Sequence, residues 1–88
     1  MKNKILVVDD EMRMRKIVKD FLQREKYIVV EAENGEQAVD IFCAEKDIAL
    51  VILDVMMPIM DGWEVCKEIR KLSNVPIVML TAKSEESD

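Results

Sequence analysis

The sequence has 88 residues, half of them hydrophobic and 35% charged, with a formal net charge of −5. That length suits one compact domain, and with only two Gly and two Pro it excludes collagen-like, low-complexity and disordered chains. The acidic balance argues against direct nucleic-acid binding, and the longest apolar runs, Ile48–Leu53 and Ile77–Leu80, fall far short of the ~20 residues of a membrane helix.

Lys4–Val8 is a β-branched run without polar alternation, read as a strand buried on both faces. Met14, Ile17, Val18, Phe21 and Leu22 then recur at helical spacing, with Arg13, Arg15, Lys16, Lys19 and Asp20 as the solvated face. Tyr27–Val30 is the second strand. Asn34 with Gln37 has capping-box spacing and opens a helix whose apolar face is Ala38, Val39, Ile41 and Phe42. Leu50–Leu53 is the third strand, ending on Asp54. A loop with Pro58 follows, and Asp61 with Glu64 makes a second capping box before Val65, Cys66, Ile69 and Leu72. Pro76–Leu80 is the fourth strand, ending at Thr81; Ser84–Asp88 is either a helix start or a frayed tail.

Apolar strands alternating with amphipathic helices imply a parallel sheet with right-handed crossovers and helices on both faces. The expected class is α/β, a three-layer parallel sheet, and if its order is 2-1-3-4 the first and third strands are neighbours. No signal peptide is visible after Met1–Lys4, so a soluble, cytoplasmic domain is expected. The sequence has no histidine, which removes Ser–His and Cys–His pairs and the commonest zinc sites; Cys43 and Cys66 are expected as buried small hydrophobes in a reducing compartment.

In an open parallel sheet, ligands bind beyond the carboxyl ends of the strands. Asp9 and Asp10 follow the first strand, Asp54 ends the third and Thr81 the fourth. With strands one and three adjacent, three carboxylates share one crevice. Their repulsion should raise at least one pKa, and a hard divalent cation such as Mg2+ would relieve it. Asp54 can also act as a nucleophile and form an aspartyl phosphate, Thr81 is placed to donate its hydroxyl, and small Ala82 would let a backbone N–H approach. Each residue alone has an ordinary reading: Asp10 as a helix cap, Thr81 as a turn residue, the Arg13–Lys19 cluster as a solvated face. Asp61, Asn34 and Gly62 are assigned to caps and turns. Met56, Met57 and Met60 are read as packing and loop cover, and Trp63 as edge cover or half exposed.

The segments ILVVDDE at Ile5–Glu11, LVILDVMMPIMDGWEVCKEIR at Leu50–Arg70 and PIVMLTA at Pro76–Ala82 resemble the receiver domain of two-component response regulators, most closely those of winged-helix, OmpR-type transcriptional regulators. The resemblance implies a flavodoxin-like sheet in the order 2-1-3-4, with Asp54 as the phosphoacceptor for a phosphohistidine on a sensor histidine kinase. Asp9 and Asp10, with Asp54 and the Met56 carbonyl, would hold Mg2+, and Thr81 would be the switch hydroxyl. Met56 and Lys83 fall where the family tunes hydrolysis of the aspartyl phosphate. It also implies a further helix, strand and helix, and a lysine ending that fifth strand, none of which precedes Asp88. The 88 residues are therefore expected to be impaired in phosphorylation, to leave Ile77–Leu80 as an apolar edge, and to self-associate through that edge or by exchanging elements. Transcriptional output would lie in a separate DNA-binding domain.

Three rival readings use the same acids. A Mg2+-dependent phosphatase or nuclease of the haloacid-dehalogenase or toprim kind fits poorly, since the first needs DxD after strand one and the second Glu there with DxD after strand three. A flavodoxin-like binder needs a phosphate loop after strand one, which Asp9-Asp10-Glu11 opposes. A receiver-like interaction module without phosphorylation is the third.

Overall fold

A computed structural model describes residues 3–80. The elements run β1 (Lys4–Val8), α1 (Met12–Arg24), β2 (Ile28–Ala32), α2 (Gly35–Ala44), β3 (Ile48–Asp54), α3 (Gly62–Arg70) and β4 (Ile77–Leu80). All strand pairs are parallel, as the alternation predicts, and the order is β2-β1-β3-β4, the one the family resemblance implies. Register sets Val8 beside Leu53 and Asp54 beside Leu80, so the carboxyl ends of β1, β3 and β4 line up.

Strand alternation divides the core into two layers. Leu6, Val8, Val51 and Leu53 face α2 and α3, where Ala38, Val65 and Ile69 close over them without solvent exposure. Ile5 and Val7 face α1 and bury with Leu22, while Val18, Val29, Leu50 and Ile52 pack partly against them. The second layer is the thinner one. Met14, Ile17 and Phe21 share the predicted apolar face of α1, yet Ile17 is 61% and Phe21 56% exposed, because the sheet beneath one helix covers only part of its stripe.

Local signals account for most element ends. Asp61 Oδ1 accepts from the Glu64 N–H while Glu64 Oε1 accepts from the Asp61 N–H, a complete capping box. At α2 only half of that exchange forms: Asn34 Oδ1 accepts from Gln37 N–H, but Gln37 Oε1 turns to the Glu33 N–H. Asp10 is not the cap of α1; Glu11 holds that position without a side-chain cap bond. β2 begins at Ile28, one residue later than the sequence suggests, and continues to Ala32, while β3 starts earlier, at Ile48.

Two expectations need correction. Cys43 is exposed and Cys66 only half-buried, because α2 and α3 are amphipathic and each has one face on the sheet. Leu72 lies past the end of α3 and is 57% exposed. Trp63 is 62% exposed, in keeping with its reading, and Met57 is buried while Met56 is 59% exposed.

Candidate functional site

The carboxyl ends of β1, β3 and β4 frame an open cleft of about 400 Å3 lined by Asp9, Asp10, Glu11, Met14, Asp54, Met56 and Leu80. Each acid arrives there for a backbone reason. Asp9 is the first residue past β1; its N–H still donates to Ala32 O at 3.2 Å, and its Oδ1 accepts from the Glu11 N–H at 2.9 Å. That side-chain turn bends the chain into α1 and leaves Asp10 exposed at the apex. Asp54 is the last residue of β3, and its Oδ1 accepts from the Met56 N–H at 3.1 Å. One carboxylate oxygen of Asp54 is thereby fixed and the group faces Asp10.

The loop after β3 is held close under Asp54. Gly62 donates to Val55 O at 3.0 Å, and a Cβ at position 62 would stand 2.6 Å from Asp54 O and 2.8 Å from Val55 Cα. Gly62 therefore supports the site by lacking a side chain, a role beyond the cap-and-turn assignment. Its signal in the sequence is its place immediately after the Asp61 cap, where the helix starts against the strand it left.

One ligand oxygen each from Asp9, Asp10 and Asp54 lies within 4.8 Å of the others. Opposite ligands of a single Mg2+ stand about 4.2 Å apart at ~2.1 Å each, so a small inward adjustment would bring this set around one such ion. The donor set is all oxygen and anionic, the chemistry of a hard cation. Burial raises the pKa of Asp9 above the ordinary 3.8, reinforced by Asp10 and Glu11 and opposed by the Glu11 N–H and Arg15. Burial likewise raises Asp54, with Asp9 and Asp10 adding to it and the Met56 N–H opposing. The raised pKa expected from crowding is thus found at two positions, with desolvation rather than repulsion as the larger cause.

The Arg13–Lys19 cluster is not uniformly a solvated face. The Arg15 side chain is only 13% exposed; its Nε donates to Glu31 Oε1 at 3.1 Å and its Nη1 to the Asp9 carbonyl at 2.8 Å. Thr81, Ala82 and Lys83 lie outside the described residues, which end at Leu80 on the cleft wall. Among the described residues the site therefore unites Asp9, Asp10, Asp54 and Met56.

The response regulator receiver domain family matches residues 5–88. This chain belongs to that family. Among curated relatives of this receiver, the transcriptional regulatory protein ResD of Bacillus subtilis is 51% identical over 85 residues, covering 97% of this chain and 35% of ResD. The probable transcriptional regulator ycf27 of Porphyra purpurea is 54% identical over 87 residues, covering 99% of this chain and 35% of its own. The receiver thus spans about a third of the curated relatives it matches. Among solved structures, the response regulator TrrA of Thermotoga maritima in complex with Mg2+-BeF superposes with a TM-score of 0.86 at 48% identity, over 96% of this chain and 72% of that one. TrrA in complex with the histidine kinase ThkA gives a TM-score of 0.86 at 48% identity, over 100% of this chain and 76% of that one. The chain is a receiver of the two-component type, with transcriptional regulators among its relatives. No helix among the described residues is long and apolar enough to cross a membrane.

Proposed function

We propose that this receiver accepts a phosphoryl group on Asp54 from a phosphohistidine of a sensor histidine kinase. A carboxylate oxygen of Asp54 bonds to phosphorus as the phosphorus–nitrogen bond breaks, and the departing imidazole nitrogen takes up a proton. Asp9, Asp10, Asp54 and the Met56 carbonyl would hold Mg2+, which when bound supplies positive charge to the phosphoryl oxygens. The Met56 N–H fixes one Asp54 oxygen and orients the carboxylate toward the cleft. Asp9, the most buried acid, anchors the turn that presents Asp10. Thr81, which follows Leu80 in sequence, is assigned the hydroxyl that reaches the phosphoryl oxygen, and Ala82 a backbone N–H to the same group.

The observation that carries this reading is the meeting of three carboxylates at the ends of β1 and β3, with Asp54 tethered by the Met56 N–H. Support also comes from TrrA, which binds Mg2+-BeF and pairs with the histidine kinase ThkA. In a longer protein of the ResD kind, phosphorylation of Asp54 would govern transcription through a DNA-binding domain in the cytoplasm. The 88 residues alone would also associate with one another through the β4 edge, where Val78 and Leu80 are 45% and 40% exposed.

The test is incubation with acetyl phosphate and Mg2+ followed by intact-mass spectrometry, on these 88 residues and on a receiver carrying them at the family's length. The longer protein should gain one phosphoryl adduct that is lost with a chelator and in Asp54→Asn. An adduct that persists in Asp54→Asn overturns the assignment.

A further inference from the structure

We infer that Arg15 is a positioning residue for the acidic pair, setting the peptide between Asp9 and Asp10 so that their carboxylates meet Asp54 in a metal-ready arrangement. The inference rests on the functional reading above and concerns a residue outside the carboxylate set.

The geometry is specific. The carbonyl that Arg15 Nη1 holds at 2.8 Å belongs to Asp9, and so to the peptide plane joining the two acids. The other handles of Asp9 are already tied, its N–H to Ala32 O and its Oδ1 to the Glu11 N–H. The Arg15 N–H also donates to Glu11 O at 3.0 Å, so the residue spans the Asp9–Glu11 turn with both backbone and side chain. Without the guanidinium contact, that plane would lose its side-chain donor and could rotate, swinging the exposed Asp10 away from the Asp54 carboxylate it faces.

Arg15 is itself anchored. Its Nε donates to Glu31 Oε1 at 3.1 Å, while Lys19 Nζ meets the other Glu31 oxygen at 3.1 Å. Glu31 lies on β2 opposite Val7, so the clamp ties the turn to the rigid sheet rather than to another loop. A planar fork can serve Glu31 and the Asp9 carbonyl at once through different nitrogens; a lysine ammonium at the same position is a single point on a flexible stem.

Charge alone would make the opposite prediction. A guanidinium beside a cation site opposes cation binding, so removing it should tighten Mg2+ if electrostatics were its only influence. Positioning demands that removal weaken Mg2+. The sign decides between them.

The test measures Mg2+ affinity by titration calorimetry for the wild-type chain, Arg15→Lys and Arg15→Gln, far below each melting temperature, with amide exchange at Glu11 in the absence of metal. Both variants should bind Mg2+ about ten-fold more weakly, the size typical when a group supporting a metal ligand is removed. Glu11 exchange should quicken in both. Arg15→Lys keeps the charge, so weakening there also separates positioning from electrostatics if Arg15→Gln does not fold. A purely structural role would lower the melting temperature while leaving affinity and Glu11 exchange unmoved, and would overturn the inference, as would tighter binding in Arg15→Gln. A wild-type chain that binds no Mg2+ would instead overturn the metal reading on which the inference stands.

Discussion

Burial and neighbouring negative charge both oppose ionised Asp9 and Asp54, while one backbone N–H apiece favours it. The net shift is upward, so each folded-state pKa lies above its unfolded value. The stability each group contributes is then fully present below the unfolded pKa and is lost as pH rises through the folded one. At neutral pH the metal-free receiver therefore carries two carboxylates that would fold more favourably if neutral. Asp54→Asn should raise the melting temperature of the metal-free chain at pH 7, with the gain shrinking as pH falls through the folded pKa. Mg2+ should stabilise the wild type at pH 7 and lose that effect in acid, where the carboxylates no longer bind it. Differential scanning fluorimetry across pH checks both, and an Asp54→Asn protein that melts lower at pH 7 would show that crowding is not costly here. The carboxylates themselves were legible in the sequence, because strand ends announce themselves by apolar runs stopping at acids. Arg15 was not: helical periodicity assigns it to the solvated face, and only the turn geometry brings its guanidinium over the Asp9 carbonyl.

At the scale of elements, α1 ends with a Tyr27 N–H to Leu22 O bond and a Lys26 N–H to Gln23 O bond, the double closure of a left-handed helix end. Lys26 occupies it with φ 74°, where a side chain is disfavoured. Lys26→Gly should stabilise the receiver by about 1 kcal/mol, read as a rise in the denaturant midpoint. Gly62→Ala should act oppositely, destabilising by about 1–3 kcal/mol and reducing Mg2+ affinity, because the added methyl displaces the Asp54–Val55 backbone. Circular dichroism melts with Mg2+ titration would reveal both parts. Element order and the Asp61–Glu64 box could be read in advance, since each is a local pattern. The Gln37 contact could not, because whether a side chain turns to the cap or to the residue before it depends on the extended backbone at Asn34. The ends of β2 shifted for a related reason: Lys26 and Tyr27 complete the α1 closure, so the strand cannot start before Ile28.

Across the whole molecule the two faces of the sheet are unequal. The α2–α3 side buries a continuous core, while on the α1 side Ile17, Phe21, Val78 and Leu80 remain exposed beside the partly covered Leu50 and Ile52. A periodic sequence reports which residues are apolar but not how much cover the fold can give them, which is why the α1 stripe looked like core. Apolar surface of that kind beside an edge strand favours association. Sedimentation velocity on the 88 residues should show a species larger than a monomer growing with concentration; a monodisperse monomer at high concentration would contradict this. The cleft, by contrast, follows directly from strand order, since neighbouring β1 and β3 must deliver Asp9, Asp10 and Asp54 to one end. The most direct trial of that arrangement is phosphotransfer itself: a phosphorylated histidine kinase mixed with a receiver carrying these residues at the family's length, with loss of phosphohistidine followed against label on the Asp54 peptide. Label should arrive there only with Mg2+ and disappear in Asp54→Asn; transfer that ignores the chelator, or settles on another peptide, would contradict the account.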